Sequence, residues 1–171
     1  MLKALRRFGI PEYIIKLIGS IYEEREFFIH DHCGDLEICL QHAGIDQGCP
    51  LSPFLFIIVQ SVMFYDIYNE IQLVPDAPYV VTNDLLYADD TVLLSSSQGN
   101  VQQLLDAVVV EGSKYGLELN WTKTYQMNIN SNSTILRPDG AEMEKKRSMI
   151  YLGGMISCDG KSGIEMRRRK S

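Results

Sequence analysis

The sequence has no basic side chain over its long central stretch: neither Lys nor Arg occurs between Arg25 and Lys114. The same stretch contains thirteen Asp and Glu residues. Such a region attracts metal cations and repels phosphates. The basic residues gather near the two ends of the chain, where they could contact a polyanion or form an ordinary solvated surface. They include Lys3, Arg6, Arg7, Lys145, Lys146, Arg147 and the run from Arg167 to Lys170.

Three other features are missing. The four cysteines have neither a zinc-site spacing nor the pattern of a secreted disulfide framework, so we expect them to be reduced. The longest apolar run, Leu51 to Tyr65, contains Gln60 and is too short and too polar to span a bilayer. The N-terminus lacks the apolar core of a signal peptide. These absences predict an intracellular protein, nuclear or cytoplasmic, with no membrane partner.

The chain of 171 residues is 46% hydrophobic, which is enough for one domain with a sizeable core. Apolar spacing and start and stop residues predict four helices. They are Leu2–Phe8 ending at Gly9, a helix opened by Pro11, a helix capped by Ser52 with Pro53 in its first turn, and Gln98–Tyr115 ending at Gly116.

The remaining segments predict strands. EFFIHDHCGDLEICLQHAG alternates and breaks at Gly34, which indicates a β-hairpin. LLYA and TVLL flank Asp89 and Asp90 as a second, tight hairpin. LELNWTKTYQMNI predicts a turn into a strand, and MIYLGGMIS predicts one more strand. Helices and hairpins in this irregular order are typical of the α+β class.

The adjacent carboxylates of Asp89 and Asp90 are the first candidate for chemistry. A hairpin tip can bring both toward one spot, where they repel each other unless a cation neutralises them. Oxygen ligands of this kind select Mg²⁺ or Mn²⁺. A metal pair can then hold the attacking and leaving oxygens of a phosphoryl displacement. The alternative is an ordinary exposed turn, since Asp is a common turn residue.

Five segments, in this order along the chain, resemble the reverse transcriptase domain of LINE-type (non-LTR) retrotransposons. They are MLKALRRFGIPEYIIKLIGSIY, GIDQGCPLSPFLF, LLYADDTVLL, GLELNWTKT and YLGGMIS. The resemblance implies a truncated polymerase palm, an antiparallel sheet with a catalytic hairpin and helices packed on one face, followed by thumb-entry strands. It places a partial palm domain over residues 1–157 and a basic tail over residues 158–171.

The resemblance also implies roles for single residues. Asp89 would be the principal metal ligand and Asp90 the weaker or outer one. The nucleotide and template base would be bordered by Gln47, Gly48, Pro50 and Ser52, and Tyr87 would lie beneath the primer terminus.

Further along the chain, Lys123 would act on the pyrophosphate leaving group, and Tyr151, Leu152 and Gly153 would belong to the hairpin that grips the primer end. A surface lysine and a plain strand with its turn remain open alternatives for these residues. The partners implied are an RNA template, a DNA primer, deoxynucleoside triphosphates and Mg²⁺ or Mn²⁺.

The sequence departs from the family pattern in two places. The strand that carries a third catalytic aspartate precedes, in the family, the segment that Met1 opens here, so that strand and the fingers are expected to be missing. Asp46 replaces the usual Arg, which adds repulsion beside nucleotide phosphates of about 1 kcal/mol or more. We therefore expect a fragment of an RNA-directed DNA polymerase that is inactive alone.

Two other hypotheses stay open. The chain could be a non-catalytic remnant of a retroelement that binds nucleic acid or protein through its basic ends. It could also be related to a group II intron maturase or an RNA-templated RNA polymerase, although GLELN followed by YLGG fits the retroelement pattern better.

Overall fold

The computed structural model describes residues 1–23, 25–27, 30–31, 34–35, 39–41, 44–45, 48–78 and 80–160. Its four helices are α1 Leu2–Phe8, α2 Glu12–Tyr22, α3 Ser52–Glu70 and α4 Gln98–Lys114. Its eight short strands are β1 Arg25–Phe27, β2 His30–Asp31, β3 Gly34–Asp35, β4 Cys39–Gln41, β5 Asp84–Tyr87, β6 Asp90–Leu93, β7 Ser148–Tyr151 and β8 Gly154–Ser157. The predicted α+β class is confirmed.

The chain divides into two compact units. The first comprises Met1–Glu70 and the short piece Leu86–Thr91, and the second comprises Ile71–Leu85 and the chain from Val92 onward. The hairpin β5–β6 therefore has its tip in the first unit and its base in the second.

The first unit is built on three helices. Gly9 ends α1 in the left-handed conformation with a φ of 92°, where its N–H bonds to the carbonyls of Arg6 and Leu5. Pro11 then precedes the first turn of α2, as predicted. The core consists of Leu5, Ile15, Ile18 and Leu55, and each buried side chain contributes roughly 2 kcal/mol.

Two ion pairs tie these helices together and use basic residues of the N-terminal segment. Arg6 donates to both carboxylate oxygens of Glu12, at 3.0 and 2.8 Å. Arg7 forms a two-point pair with Asp66, linking α1 to α3. These arginines are thus engaged within the unit, which weakens the hypothesis that this basic cluster is a surface for a polyanion.

The predicted N-terminal hairpin is confirmed in its antiparallel pairing. β1 pairs with β4, with Glu26 opposite Leu40, and β2 pairs with β3, with Asp31 opposite Gly34. The residues between β2 and β3, and those on either side of Gly44 and Ile45, lie outside the described part of the chain.

The second unit is built around α4. Ser97 caps this helix by accepting a bond from the Asn100 N–H, and Gly116, with a φ of 74°, follows its C-terminal end as predicted. A second core cluster forms between α4 and the chain after it, from Leu105, Ile135 and Met143.

The predicted strand within LELNWTKTYQMNI is not formed. Gln126 makes only an isolated bridge with Lys145. Its side chain instead bonds to Asn128, to the Ser133 carbonyl and to the Ile135 N–H. Side-chain amides that satisfy the backbone in this way compete with a strand ladder, which explains the difference.

The single antiparallel palm sheet is not seen either. The described strands form four separate two-stranded sheets: β1–β4, β2–β3, β5–β6 and β7–β8. Three of these pairs join strands that follow each other directly in sequence, so the ladders are local hairpins without a long-range partner strand. No described helix is long and apolar enough to cross a membrane.

Candidate active site

The hairpin β5–β6 carries the paired aspartates at its tip. Ala88 and Asp89 form the two-residue turn, and Asp90 opens β6. Ala88 has a φ of 49°, in the left-handed region. Two-residue hairpin turns require a positive φ at their first central position, and an alanine pays for it with about 1 kcal/mol of strain. The predicted tight hairpin is present, with its turn one residue earlier than its acidic pair.

Both carboxylates are exposed to solvent. Within the part of the chain that the structure describes, neither Asp89 nor Asp90 has a basic partner. Two adjacent, accessible carboxylates with no protein cation are suited to hold a hard divalent cation. No group of three or more potential metal-ligating side chains occurs among the described residues, so these two would supply an incomplete ligand set.

A buried amide holds the tip against α3. Gln60 is only 6% exposed, although it is an amide in the middle of α3 with Val59 and Val62 buried close to it in sequence. Its Nε2 donates to the Thr91 hydroxyl over 3.4 Å, directly beside Asp90. Sequence reasoning treated Gln60 only as evidence against a membrane span. A single amide inside the run FLFIIVQSVMF was the available signal for this contact.

The loop that leads into α3 lies in the same unit as the tip. Gly48 has a φ of 89° and is exposed, so it supplies a backbone conformation that other residues adopt at a cost. Pro50 is also exposed. Ser52 is the first helical residue rather than the predicted cap, and its buried hydroxyl lies 3.3 Å from the Tyr22 hydroxyl. Gln47 and Asp46 lie outside the described residues.

Cys49 shows the electrostatic character of this loop. The backbone N–H of Leu51 lowers the pKa of the Cys49 thiol, and Ser52 adds to the effect through its side chain and backbone. Hydrogen-bond donors at the start of a helix stabilise negative charge in this way.

Tyr87, at the end of β5, is 61% exposed and belongs to the same unit.

Lys123 lies in the second unit, in a turn organised by Asn120. The Asn120 side chain accepts from the N–H and the hydroxyl of Thr122. The backbone carbonyl of Asn120 accepts from the Lys123 N–H at 2.9 Å. The Lys123 side chain is exposed. Trp121, two residues before it, packs on the core cluster of this unit.

The segment MIYLGGMIS forms a hairpin, as the resemblance implies, rather than the one strand with a Gly-Gly interruption that its pattern predicts. β7 and β8 pair antiparallel, with Tyr151 opposite Gly154. Leu152 and Gly153 make the turn, with φ values of 48° and 78°, so both central residues have the positive φ that a type I′ turn needs. The signal for this hairpin was the Gly-Gly pair, which marks a turn.

A family model described as reverse transcriptase (RNA-dependent DNA polymerase) matches residues 1–156, nearly the whole chain. The chain belongs to the reverse transcriptase family. It is also similar to the Retrovirus-related Pol polyprotein from type-2 retrotransposable element R2DM of Drosophila melanogaster, with 30% identity over 125 residues. The aligned part is 73% of this chain and 12% of that polyprotein.

These matches confirm the predicted relationship to the reverse transcriptases of non-LTR retrotransposons and the predicted enzyme class, RNA-directed DNA polymerase. The chain spans about an eighth of the length of the polyprotein it matches. Within this reverse transcriptase segment, the structure gathers Gly48, Pro50, Ser52, Tyr87 and the two aspartates into one compact unit. Lys123 and the hairpin of Tyr151–Gly153 belong to the other.

Proposed function

We propose that the chain serves as part of the palm of an RNA-directed DNA polymerase, with Asp89 and Asp90 holding divalent metal. The observation that carries this proposal is a pair of adjacent, exposed carboxylates at the tip of a two-residue hairpin, inside a segment that matches the reverse transcriptase family. Mg²⁺ or Mn²⁺, when bound, would stabilise the negative charge on the attacking and leaving oxygens of nucleotidyl transfer.

The residues of the chain have separate tasks in this proposal. Asp89 and Asp90 are exposed to solvent, where a nucleotide can approach. Gly48 allows the loop before α3 to adopt a left-handed turn, and the donors near Cys49 favour an anionic group. Tyr87 offers an exposed ring beneath a primer end. These groups bind and orient the RNA template, the DNA primer and the incoming deoxynucleoside triphosphate.

The second unit supplies the remaining groups. The exposed ammonium of Lys123, fixed at its backbone by Asn120, is the candidate to neutralise or protonate the pyrophosphate. Leu152 is 52% exposed at the type I′ turn and is the candidate for contact with the primer strand. The support for both roles is the match to the family together with this exposure.

We expect the chain alone to have no polymerase activity. Two carboxylates leave Mg²⁺ mostly hydrated, so we expect a dissociation constant of about 1 mM. In a primer-extension assay on an RNA template, the 171-residue chain should give no product. Robust extension would show that this ligand set is sufficient and would contradict the account of an incomplete site.

Mn²⁺ binding measured by electron paramagnetic resonance tests the metal site itself. We expect Asp89→Asn to weaken the affinity at least about tenfold, because it removes the principal ligand. The matched control is Asp139→Asn, which changes an exposed carboxylate in a turn of the second unit. Equal affinities for the wild-type chain and Asp89→Asn would favour the non-catalytic remnant.

A further inference from the structure

The base of the hairpin β5–β6 is organised by one carboxylate, Asp76, in the connector after α3. Its Oδ2 accepts from the side-chain amide of Asn83 at 2.6 Å, just before β5 begins. Its Oδ1 accepts from the hydroxyl of Ser95 at 2.6 Å and from the N–H and hydroxyl of Ser96 at 2.6 and 2.7 Å, just after β6 ends. One side chain therefore joins both legs of the hairpin.

The same carboxylate is fixed to the second unit's main helix. Asn100, only 2% exposed in the first turn of α4, donates to Asp76 Oδ2 at 3.3 Å. The Asn100 amide also donates to the Val74 carbonyl at 2.9 Å and accepts from the Val74 N–H at 3.0 Å. The connector on which Asp76 lies is thus held in place by a buried side chain.

No charged partner is needed to keep Asp76 ionised. Burial by itself would raise the pKa of its carboxyl group, but the hydrogen bonds from Ser95, Ser96 and Asn83 outweigh it and hold the pKa well below the usual range. The groups that face the carboxylate are hydroxyls, amides and one backbone N–H, all neutral.

We propose that Asp76 is a positioning residue for the metal-binding carboxylates: by fixing both legs of β5–β6 it fixes the hairpin whose tip presents Asp89 and Asp90. This inference rests on the proposed metal binding at the tip. A hairpin of two four-residue strands has few ladder bonds of its own, so its geometry depends on how its open end is held. The two legs also bond to each other directly, from the Leu94 N–H to the Asn83 carbonyl at 2.8 Å and from the Asn83 amide to the Leu94 carbonyl at 3.1 Å, and Asp76 supplies the rest of that hold.

Asp76→Asn is the sharpest substitution because it preserves size and removes one acceptor. Oδ1 faces the Ser96 N–H, and Oδ2 faces the Asn83 amide nitrogen. Whichever way the new amide is turned, its NH₂ group meets a donor. The substitution therefore leaves either the Ser96 N–H or the Asn83 amide without its acceptor and weakens the contact with that leg of the hairpin, whereas the helix α4 keeps its bonds to Val74 through Asn100.

The experiment measures Mn²⁺ affinity by electron paramagnetic resonance on variants kept well below their melting temperatures. We expect Asp76→Asn to raise the dissociation constant about threefold or more, although Asp76 is not itself a ligand. The matched control is Val108→Ala, which opens a cavity at a buried position of α4 about two turns beyond Asn100. It should lower the melting temperature and leave the Mn²⁺ affinity unchanged.

The outcomes separate this inference from the proposed function. If the wild-type chain binds Mn²⁺, Asp89→Asn does not, and Asp76→Asn binds as tightly as wild type, Asp76 is only a structural residue and the inference is wrong. If both Asp76→Asn and Val108→Ala weaken binding equally, general destabilisation explains the loss and the inference is again wrong. If the wild-type chain and Asp89→Asn bind Mn²⁺ alike, the proposed function fails instead.

Discussion

The two tight hairpins of this reverse transcriptase segment have similar turns and differ in the side-chain contacts at their bases. In both, a tyrosine precedes a two-residue turn whose first member is a non-glycine residue at positive φ, 49° for Ala88 and 48° for Leu152. The second turn residue is Asp89 in one hairpin and Gly153, with a φ of 78°, in the other. The first turn therefore carries charge where the second carries a residue that relieves strain.

The bases of the hairpins differ in the same sense. The hairpin β5–β6 is closed by the Asp76 carboxylate, which accepts from side chains on both legs. The hairpin β7–β8 is closed by a backbone bond from the Cys158 N–H to the Arg147 carbonyl at 2.9 Å. Both bases are therefore closed by a backbone bond, and the base below the charged tip has a network of polar side chains centred on Asp76 in addition. We take the extra support to be the structural consequence of placing two carboxylates at a hairpin tip.

The largest expected difference between the hairpins is in stability. Asp76→Ala leaves four donor residues without this acceptor, among them the buried Asn100, so we expect it to lower the free energy of unfolding by about 3 kcal/mol. The matched change at the other base is Asp159→Ala, which removes the acceptor of the Ser157 hydroxyl. Since Asp159 is exposed, the loss there should stay below about 1 kcal/mol. Urea denaturation of both variants measures the two values. Equal losses would show that Asp76 does not stabilise its hairpin more than Asp159 stabilises the other.

Lowering the pH should reduce the stability that Asp76 contributes at the base of β5–β6. The folded state holds the pKa of Asp76 below its usual range, so the unfolded chain binds a proton first as the pH falls. The stabilisation is complete above the unfolded pKa, near 4, and is lost progressively as the pH falls toward the folded value. Urea denaturation of the wild-type chain and Asp76→Asn between pH 6 and about pH 3 should show their stabilities converging in acid. Parallel curves would mean that Asp76 does not carry this dependence.

The smallest expected effects are at the turns and have opposite signs. Ala88→Gly relieves the positive φ and should stabilise the chain by about 0.5 kcal/mol, offset in part by the greater freedom of glycine when unfolded. Gly153→Ala introduces the same strain and should destabilise it by about 1 kcal/mol. Thermal melts of the two variants provide the comparison. A destabilising Ala88→Gly would show that the tip is not strained.

Much of this organisation could be predicted from local patterns. Gly9, Pro11, Ser97 and Gly116 delimit the helices through backbone chemistry that depends only on neighbours in sequence. The tight hairpin around Asp89 was predicted for the same reason. The order of motifs was sufficient to predict the family.

The contacts made over longer separations could not be predicted. Asp76 and Asn100 lie 24 residues apart, and Gln60 and Thr91 lie 31 apart, and nothing in either local sequence marks its partner. The strand predicted around Gln126 failed because that side chain bonds to a loop whose path the sequence does not reveal. The palm sheet was carried over from the family, and its pairing depends on partner strands rather than on the hairpins themselves.

Localised cleavage reports where a divalent metal binds, and it therefore shows whether the tip of β5–β6 is the metal site. Fe²⁺ bound in place of Mg²⁺, in the presence of ascorbate and peroxide, cuts the backbone beside the metal. We expect fragments that end within residues 86–91 in the wild-type chain, and we expect these fragments to be absent in Asp89→Asn. Cuts confined to another part of the chain, or cuts at the tip that persist in Asp89→Asn, would contradict metal binding by these carboxylates.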